Sequence, residues 1–301
     1  FKTYDNSKYL LSYKGCLTLV VLIFATLTIH RSTYFQNYET FCRNWLTTNP
    51  KAPNAHNSMA VVLTMEGKLE EAAFHYKEAI NLVPDSSEAH SNLASIRIQQ
   101  GKEIEAFELL KKAISIDPNS SSAHNNLATL FLSQGKTKEA IPVLAKAIDL
   151  NPDDFQAHAN LANALAHQGK ISQSLNHYRE ALRINPSWPE VANRLAWILA
   201  THTNPQFRHG KESVELSEQI CQETNYSNPL FLDTLGAAYA EVERFEQAIK
   251  ISQLAKKIAT SKGLLDLAAQ IQNRILAYRG HQPIRYTNIQ WRSVQTPVAT
   301  Y

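Results

Sequence analysis

Through the middle of this chain, small and large apolar residues return in the same order every 34 positions. AHSNLASIRIQQGK (89–102) becomes AHNNLATLFLSQGK (123–136) and then AHANLANALAHQGK (157–170). A fixed period of this size is the signature of a stacked repeat. Each repeat reads as two helices. The first, helix A, carries the run AH.NLA and ends at Gly67, Gly101, Gly135 or Gly169. Glycine there permits the left-handed conformation that terminates a helix. The second, helix B, carries small residues seven apart: Ala72 and Ala79, Ala106 and Ala113, Ala140 and Ala147, Ser174 and Ala181. Tyr76, Leu110, Leu144 or Tyr178 stands between them. Small beside large on one stripe lets two helices approach closely. Prolines at 50, 84, 118, 152 and 186 then prevent helix B from continuing. A lone helix pair cannot bury its apolar face, so its stability must come from stacked neighbours.

The period loosens downstream. Glu190–Ala200 supplies a helix A, THTNPQFRHG interrupts, and a helix B is expected at Lys211–Glu223. Asn228–Ala259 restores the pattern with Leu235, Gly236, Tyr239, Ala248 and Ala255, and Leu264–Arg279 reads as a helix that caps the stack. Upstream, Tyr34–Leu46 occupies the place of a helix B in a partial repeat ending at Pro50. The expected organisation is a membrane segment at 1–30 and a linker with partial repeat at 31–52. Four regular repeats follow at 53–188, two degenerate ones at 189–262, a capping helix at 263–280 and a tail at 281–301.

Aligned on the prolines, the first small residue of helix A falls at Ala60, Ala94, Ala128 and Ala162, preceded by Met59, Leu93, Leu127 and Leu161. With the glycines, helix-B small residues and prolines in phase over four consecutive repeats, the chain resembles the tetratricopeptide repeat (TPR) family. The resemblance implies an all-α, right-handed solenoid of about six helix-turn-helix units. Its helix-A faces would line a concave groove that takes a protein or peptide.

Ahead of the repeats, Gly15–Ile29 (GCLTLVVLIFATLTI) contains no charge. Fifteen residues span roughly 22 Å as a helix, short of the ~30 Å hydrocarbon core. Extending to Leu10 gives twenty residues, with Lys14 placed to snorkel to the headgroups. Residues 10–29 are therefore expected to form a transmembrane helix. A secretory signal competes with this reading, but no small-x-small cleavage site follows Ile29; a buried core helix is the other competitor. Lys2, Lys8 and Lys14 precede the run while Arg31 and Arg43 follow it, which places the repeats on the non-cytoplasmic side by the positive-inside rule. The first residue is Phe1 rather than Met, which points to a fragment or processed product. The apolar run, then NYETFCRNWLTTNPKAPNAHNSMA, then repeats, is also similar to the C-terminal part of transmembrane O-mannosyltransferases. That resemblance implies a substrate-handling domain of a multi-pass glycosyltransferase whose catalytic half is not in this chain. A stand-alone membrane-tethered scaffold is a third reading.

Composition narrows the partners. Formal charge is only +3 over 301 residues, and residues 50–188 carry 13 Lys and Arg against 15 Asp and Glu. No basic stripe suited to nucleic acid exists there. Cys16, Cys42 and Cys221 form no metal-ligand spacing. The sequence holds no GxSxG, HExxH, P-loop or GxGxxG run, so no catalytic residue is assigned and no cofactor is implied.

The polar residues that recur are amides and imidazoles. Asn92, Asn126 and Asn160 take the sixth place of helix A in successive repeats, with Ser58 before them; Asn57, Ser91, Asn125 and Asn193, and then Asp233, take the fifth. An amide both donates and accepts, so such a column can hold an extended peptide without reading its sequence. It resembles the asparagine ladder of O-linked N-acetylglucosamine transferases. The candidate binding residues are accordingly Asn57, Asn92, Asn125, Asn126, Asn160 and Asn193; the alternative role is satisfying local backbone groups. The clustered basic residues that grip a C-terminal carboxylate in chaperone-binding members are not evident. His56, His90, His124 and His158 also recur at 34 residues. Equivalent residues of stacked helices lie roughly 10 Å apart, too far to share a zinc ion that binds nitrogen at about 2.1 Å. These histidines are expected to pack.

Overall fold

The computed structural model describes residues 38–286. The expected transmembrane helix at 10–29 lies outside them; among the described residues no helix is long and apolar enough to cross a membrane. Every regular element among these residues is a helix, and the only strand-like feature is an isolated bridge. The chain divides into two compact units, meeting in sequence at Ile116 and Asp117. The first holds α1 (residues 38–48), α2 (Pro53–Met65), α3 (Leu69–Leu82), α4 (Ser87–Gln99) and α5 (Glu103–Ile116). The second holds α6 (Ser121–Ser133), α7 (Thr137–Leu150), α8 (Phe155–His167), α9 (Ile171–Ile184) and α10 (Pro189–Thr201). A 3-10 turn at Pro205–Phe207 leads on to α11 (Gly210–Glu223), α12 (Pro229–Glu241), α13 (Phe245–Ser261) and α14 (Leu265–Arg279).

Local chemistry sets the helix ends. Ser86, Ser120 and Asp154 cap α4, α6 and α8 by accepting the backbone N–H of Ala89, Ala123 and Ala157, so three orphan donors are satisfied at the start of helix A. At the other end of α6, Gly135 adopts a φ of +73°. Its N–H donates to the Leu132 carbonyl at 3.0 Å and the Lys136 N–H to the Phe131 carbonyl at 2.8 Å. That is the Schellman pattern, and it turns the chain directly into α7. The start of helix A is also clasped to the end of its own helix B. The Ser87 hydroxyl donates to the Ala113 carbonyl and the Ser121 hydroxyl to the Ala147 carbonyl, each at 3.0 Å.

Packing follows the small-large stripe. In the first unit Ala60, Ala72, Leu63 and Tyr76 are buried together with Cys42 from α1, which therefore covers the open side of α2 and α3. In the second unit Ala128, Ala140, Leu144 and Ala147 form one cluster with Leu161 and Leu165 of the next repeat. Where the small residue is serine, its hydroxyl is answered: Ser174 donates to the Ala162 carbonyl at 2.8 Å and Ser213 to the Ala196 carbonyl at 2.7 Å, both buried. The irregular repeats vary this device. Gly236 of α12 stands where earlier repeats have alanine, and a Cβ built on it would come within 2.3 Å of the Ser252 hydroxyl. After α14 the chain turns back at His281 (φ +56°), and the Tyr286 N–H donates to the Thr201 carbonyl at the end of α10.

Replacing Gly236 by alanine should therefore overpack the α12–α13 contact and cost about 1–3 kcal/mol in urea unfolding. Gly236→Ala combined with Ser252→Ala should recover most of that loss, since it removes the hydroxyl that the new Cβ meets. Equal stability of the single variant and the parent would contradict this packing.

Candidate functional site: amide columns and histidine pairs

The six asparagines divide between the two compact units. In the first, Asn57 is half-buried and its Nδ2 donates to Glu88 Oε1 at 2.8 Å, tying α2 to α4; Asn92 is half-buried on α4. In the second, Asn125, Asn126 and Asn160 are buried and Asn193 is half-buried. The structure brings Asn160 and Asn125 together: Nδ2 of Asn160 donates to Oδ1 of Asn125 at 3.0 Å and lies 3.4 Å from the Thr129 hydroxyl. That hydroxyl in turn donates to the Asn125 carbonyl at 3.0 Å. The amide of one repeat thus bonds the amide of the repeat before it, a role distinct from both peptide contact and local backbone satisfaction. Asn57 and Asn193 each keep a buried oxygen without a hydrogen-bond partner.

A second inter-repeat tie was not legible as a column. Asn163 Oδ1 accepts from the Tyr178 hydroxyl at 2.5 Å and from Nη1 of Arg194, in the following repeat, at 2.8 Å. Arg179 and Glu212 form a two-pronged pair at 2.9 Å, joining α9 to α11. Its sequence signal, an Arg and a Glu 33 residues apart, is too common to single out.

The histidines sit in the first turn of helix A. Nδ1 of His90 and of His124 meet the Ser86 and Ser120 carbonyls, at 2.8 and 2.9 Å. His56 and His158 do something different. Nε2 of His56 lies 3.1 Å from the Pro50 carbonyl and Nδ1 lies 2.9 Å from Nδ1 of His75 on α3. A carbonyl only accepts, so Nε2 of His56 carries the proton, its Nδ1 accepts, and His75 donates. His158, Pro152 and His177 repeat this relay at 3.1 and 3.0 Å. Burial, then the facing His56 and Arg43, hold His75 below the usual imidazole range against Glu71 and Glu78. Burial, then His158, does the same to His177 against Glu180. Among the described residues no group of three or more His, Cys, Asp or Glu could hold a metal ion. Burial pushes the Cys221 thiol up to about 12 and raises Cys42 as well, which makes both poor nucleophiles at neutral pH.

Family comparison settles what these helix pairs are. Models described as tetratricopeptide repeat match residues 131–198 and 85–153, and one described as TPR repeat matches residues 62–101. The chain carries tetratricopeptide repeats. Their fold is similar to the crystal structure of the APC/C hetero-tetramer Cut9–Hcn1, with a TM-score of 0.66 and 13% identity over 80% of this chain and 47% of that one. The chain thus spans about half the length of that neighbour. TTC0263, a thermophilic TPR protein in Thermus thermophilus, aligns with a TM-score of 0.49 and 20% identity, over 56% of this chain and 92% of that one. At such identities the likeness shows the TPR fold alone. No curated protein matches the sequence.

The histidine pairs make the TPR fold acid-sensitive. Rings held neutral in the folded chain titrate near 6.5 once unfolded, so the unfolded state binds more protons below that value. The contribution is complete above about pH 6.5 and is lost as pH falls through the lower folded values. The urea midpoint should drop between about pH 7.5 and 5.5, and His75→Gln with His177→Gln should flatten the dependence. A smaller share should remain from His167 and His202, which burial also lowers. A midpoint independent of pH in the parent would contradict the relay.

Proposed function

We propose that this chain is a protein-interaction scaffold whose helix-A faces hold an extended polypeptide. Tetratricopeptide folds typically serve as such scaffolds. The observation that carries the reading is the 34-residue recurrence of amides on helix A. Half-buried Asn57, Asn92 and Asn193 carry amides of the kind that suits peptide groups. Within the second unit, Asn125 and Asn160 fix adjoining repeats in register, and buried Asn126 takes the sixth place next to Asn125. An extended segment spreads modest contacts over several repeats, so affinity depends on keeping that register. Assembly with a second protein, as in the Cut9–Hcn1 hetero-tetramer, accords with the proposal. The scaffold reading extends to tethering: the uncharged run at 15–29 anchors the chain in a membrane, with the repeats on the non-cytoplasmic side. The similarity to O-mannosyltransferases finds no support in the family models or the solved structures, and no enzymatic step enters the proposal.

A labelled, permanently unfolded polypeptide such as reduced, carboxymethylated α-lactalbumin is a suitable probe, because amides that read backbone need no particular sequence. Saturable binding is expected, weakened at least threefold by Asn92→Ala with Asn193→Ala at unchanged melting temperature. Asn160→Ala, by contrast, should lower stability by about 1 kcal/mol. Binding that ignores the first pair of substitutions would remove the amides from the site.

A further inference from the structure

The last repeats of the second unit hold an extended chain already, and it is their own. Residues 282–286 leave the end of α14 and run back across α10 and α12. Three consecutive side chains of this segment are gripped in three different ways. Ile284 packs against the cluster of Ala200, Val214, Ala237 and Ala238. Arg285 pairs with Glu241 at 2.7 Å, a carboxylate whose other oxygen is held by Arg208 at 2.9 Å. The Tyr286 ring lies against Trp197, tilted by 34° with centroids 5.6 Å apart, and the Arg274 guanidinium lies over both rings, 5.0 Å from Trp197 and 5.9 Å from Tyr286.

The receiving face is built independently of the segment. Arg274 is anchored from below by an ion pair with buried Asp233 of α12, which fixes the guanidinium plane on which an aromatic ring can stack. Glu241 is set by Arg208, which also donates to the His202 and Thr203 carbonyls at 3.0 and 2.9 Å. The backbone takes part as well: α10 ends at Thr201, whose carbonyl accepts the Tyr286 N–H at 2.9 Å, and His202 pairs with Tyr286 in a parallel bridge. Apolar contact, charge pair, aromatic shelf and main-chain bond are the elements by which a repeat face takes an extended peptide. The occupant, meanwhile, is lightly held: Tyr286 is 37% exposed, and Arg285 is exposed too.

We propose that the face formed by α10, α12 and α14 is a binding site for an extended peptide carrying an aliphatic, a basic and an aromatic residue in succession, and that residues 284–286 are its built-in competitor. A partner with the same run enters only by displacing the segment, whose tether gives it a high effective concentration at the site. This goes beyond the amide columns: it names a partner of stated chemistry and the side chains that read it, Trp197, Glu241 and Arg274, none of them an amide of those columns.

The test uses the full chain and a labelled synthetic peptide of residues 281–290, HQPIRYTNIQ. In Ile284→Ala with Tyr286→Ala the competitor is disarmed, and the peptide should bind at least tenfold more tightly than to the parent. Trp197→Ala added to that variant should abolish the gain, and a peptide with alanine in place of its tyrosine should bind at least tenfold more weakly. A folded double variant that binds no better than the parent would overturn the proposal. So would loss of helical circular dichroism in the double variant, since the segment would then be part of the fold rather than a ligand of it. Equal affinity for the peptide and its alanine form would also overturn the proposal, since that is what the amide columns, which read backbone alone, predict for this probe.

Discussion

A helix pair of 13 and 14 residues buries one side of each helix against the other and leaves a second apolar side open. Nothing within the pair can cover it, so every repeat depends on the next. That dependence explains why α1 covers α2 and α3 upstream, and why α14 follows the last complete pair downstream. It also ranks the forces. A fully buried leucine such as Leu144 is worth ~2–5 kcal/mol on truncation, whereas a neutral side-chain hydrogen bond is worth about 1 kcal/mol. Apolar stacking therefore decides that the repeats assemble. Polar ties such as Asn160 to Asn125, Arg194 to Asn163 and Arg179 to Glu212 decide their register.

The fold was legible because its signals are local and periodic. Gly135 ends a helix whatever surrounds it, Pro152 cannot extend one, and Ala140 with Leu144 mark a close stripe. The site was legible only in part, for a geometrical reason. Columns read at a 34-residue spacing pair the fifth place with the fifth and the sixth with the sixth. The bond that forms runs obliquely, from the sixth place at Asn160 to the fifth at Asn125, 35 residues away. Ser174 was legible as a small residue of the helix-B stripe but its bond was not, because the Ala162 carbonyl that answers its hydroxyl is set by the helix crossing and not by sequence. The returning segment was invisible for the same reason: Ile284, Arg285 and Tyr286 find partners at 197, 201, 241 and 274, with no period between them.

Structure and function then share one surface economically. In the second unit the Asn160–Asn125 tie is buried on helix A, while Asn193 stays half-exposed on α10 near an aromatic shelf backed by an ion pair. The histidine relays at Pro50 and Pro152 sit away from that division. They fix the first turn of a helix A against its own helix B, and add a sensitivity to acid that packing alone does not confer.

The claim on which the account rests is that amides of neighbouring repeats are coupled in stability, so that they set the register on which any groove depends. A double-mutant cycle with Asn125→Ala and Asn160→Ala, read by urea unfolding, measures that coupling directly. The account predicts a coupling energy of about 1 kcal/mol, with the double variant little worse than either single one. Losses that simply add, with coupling below about 0.3 kcal/mol, would contradict it and leave each of these asparagines satisfying only its own local backbone groups.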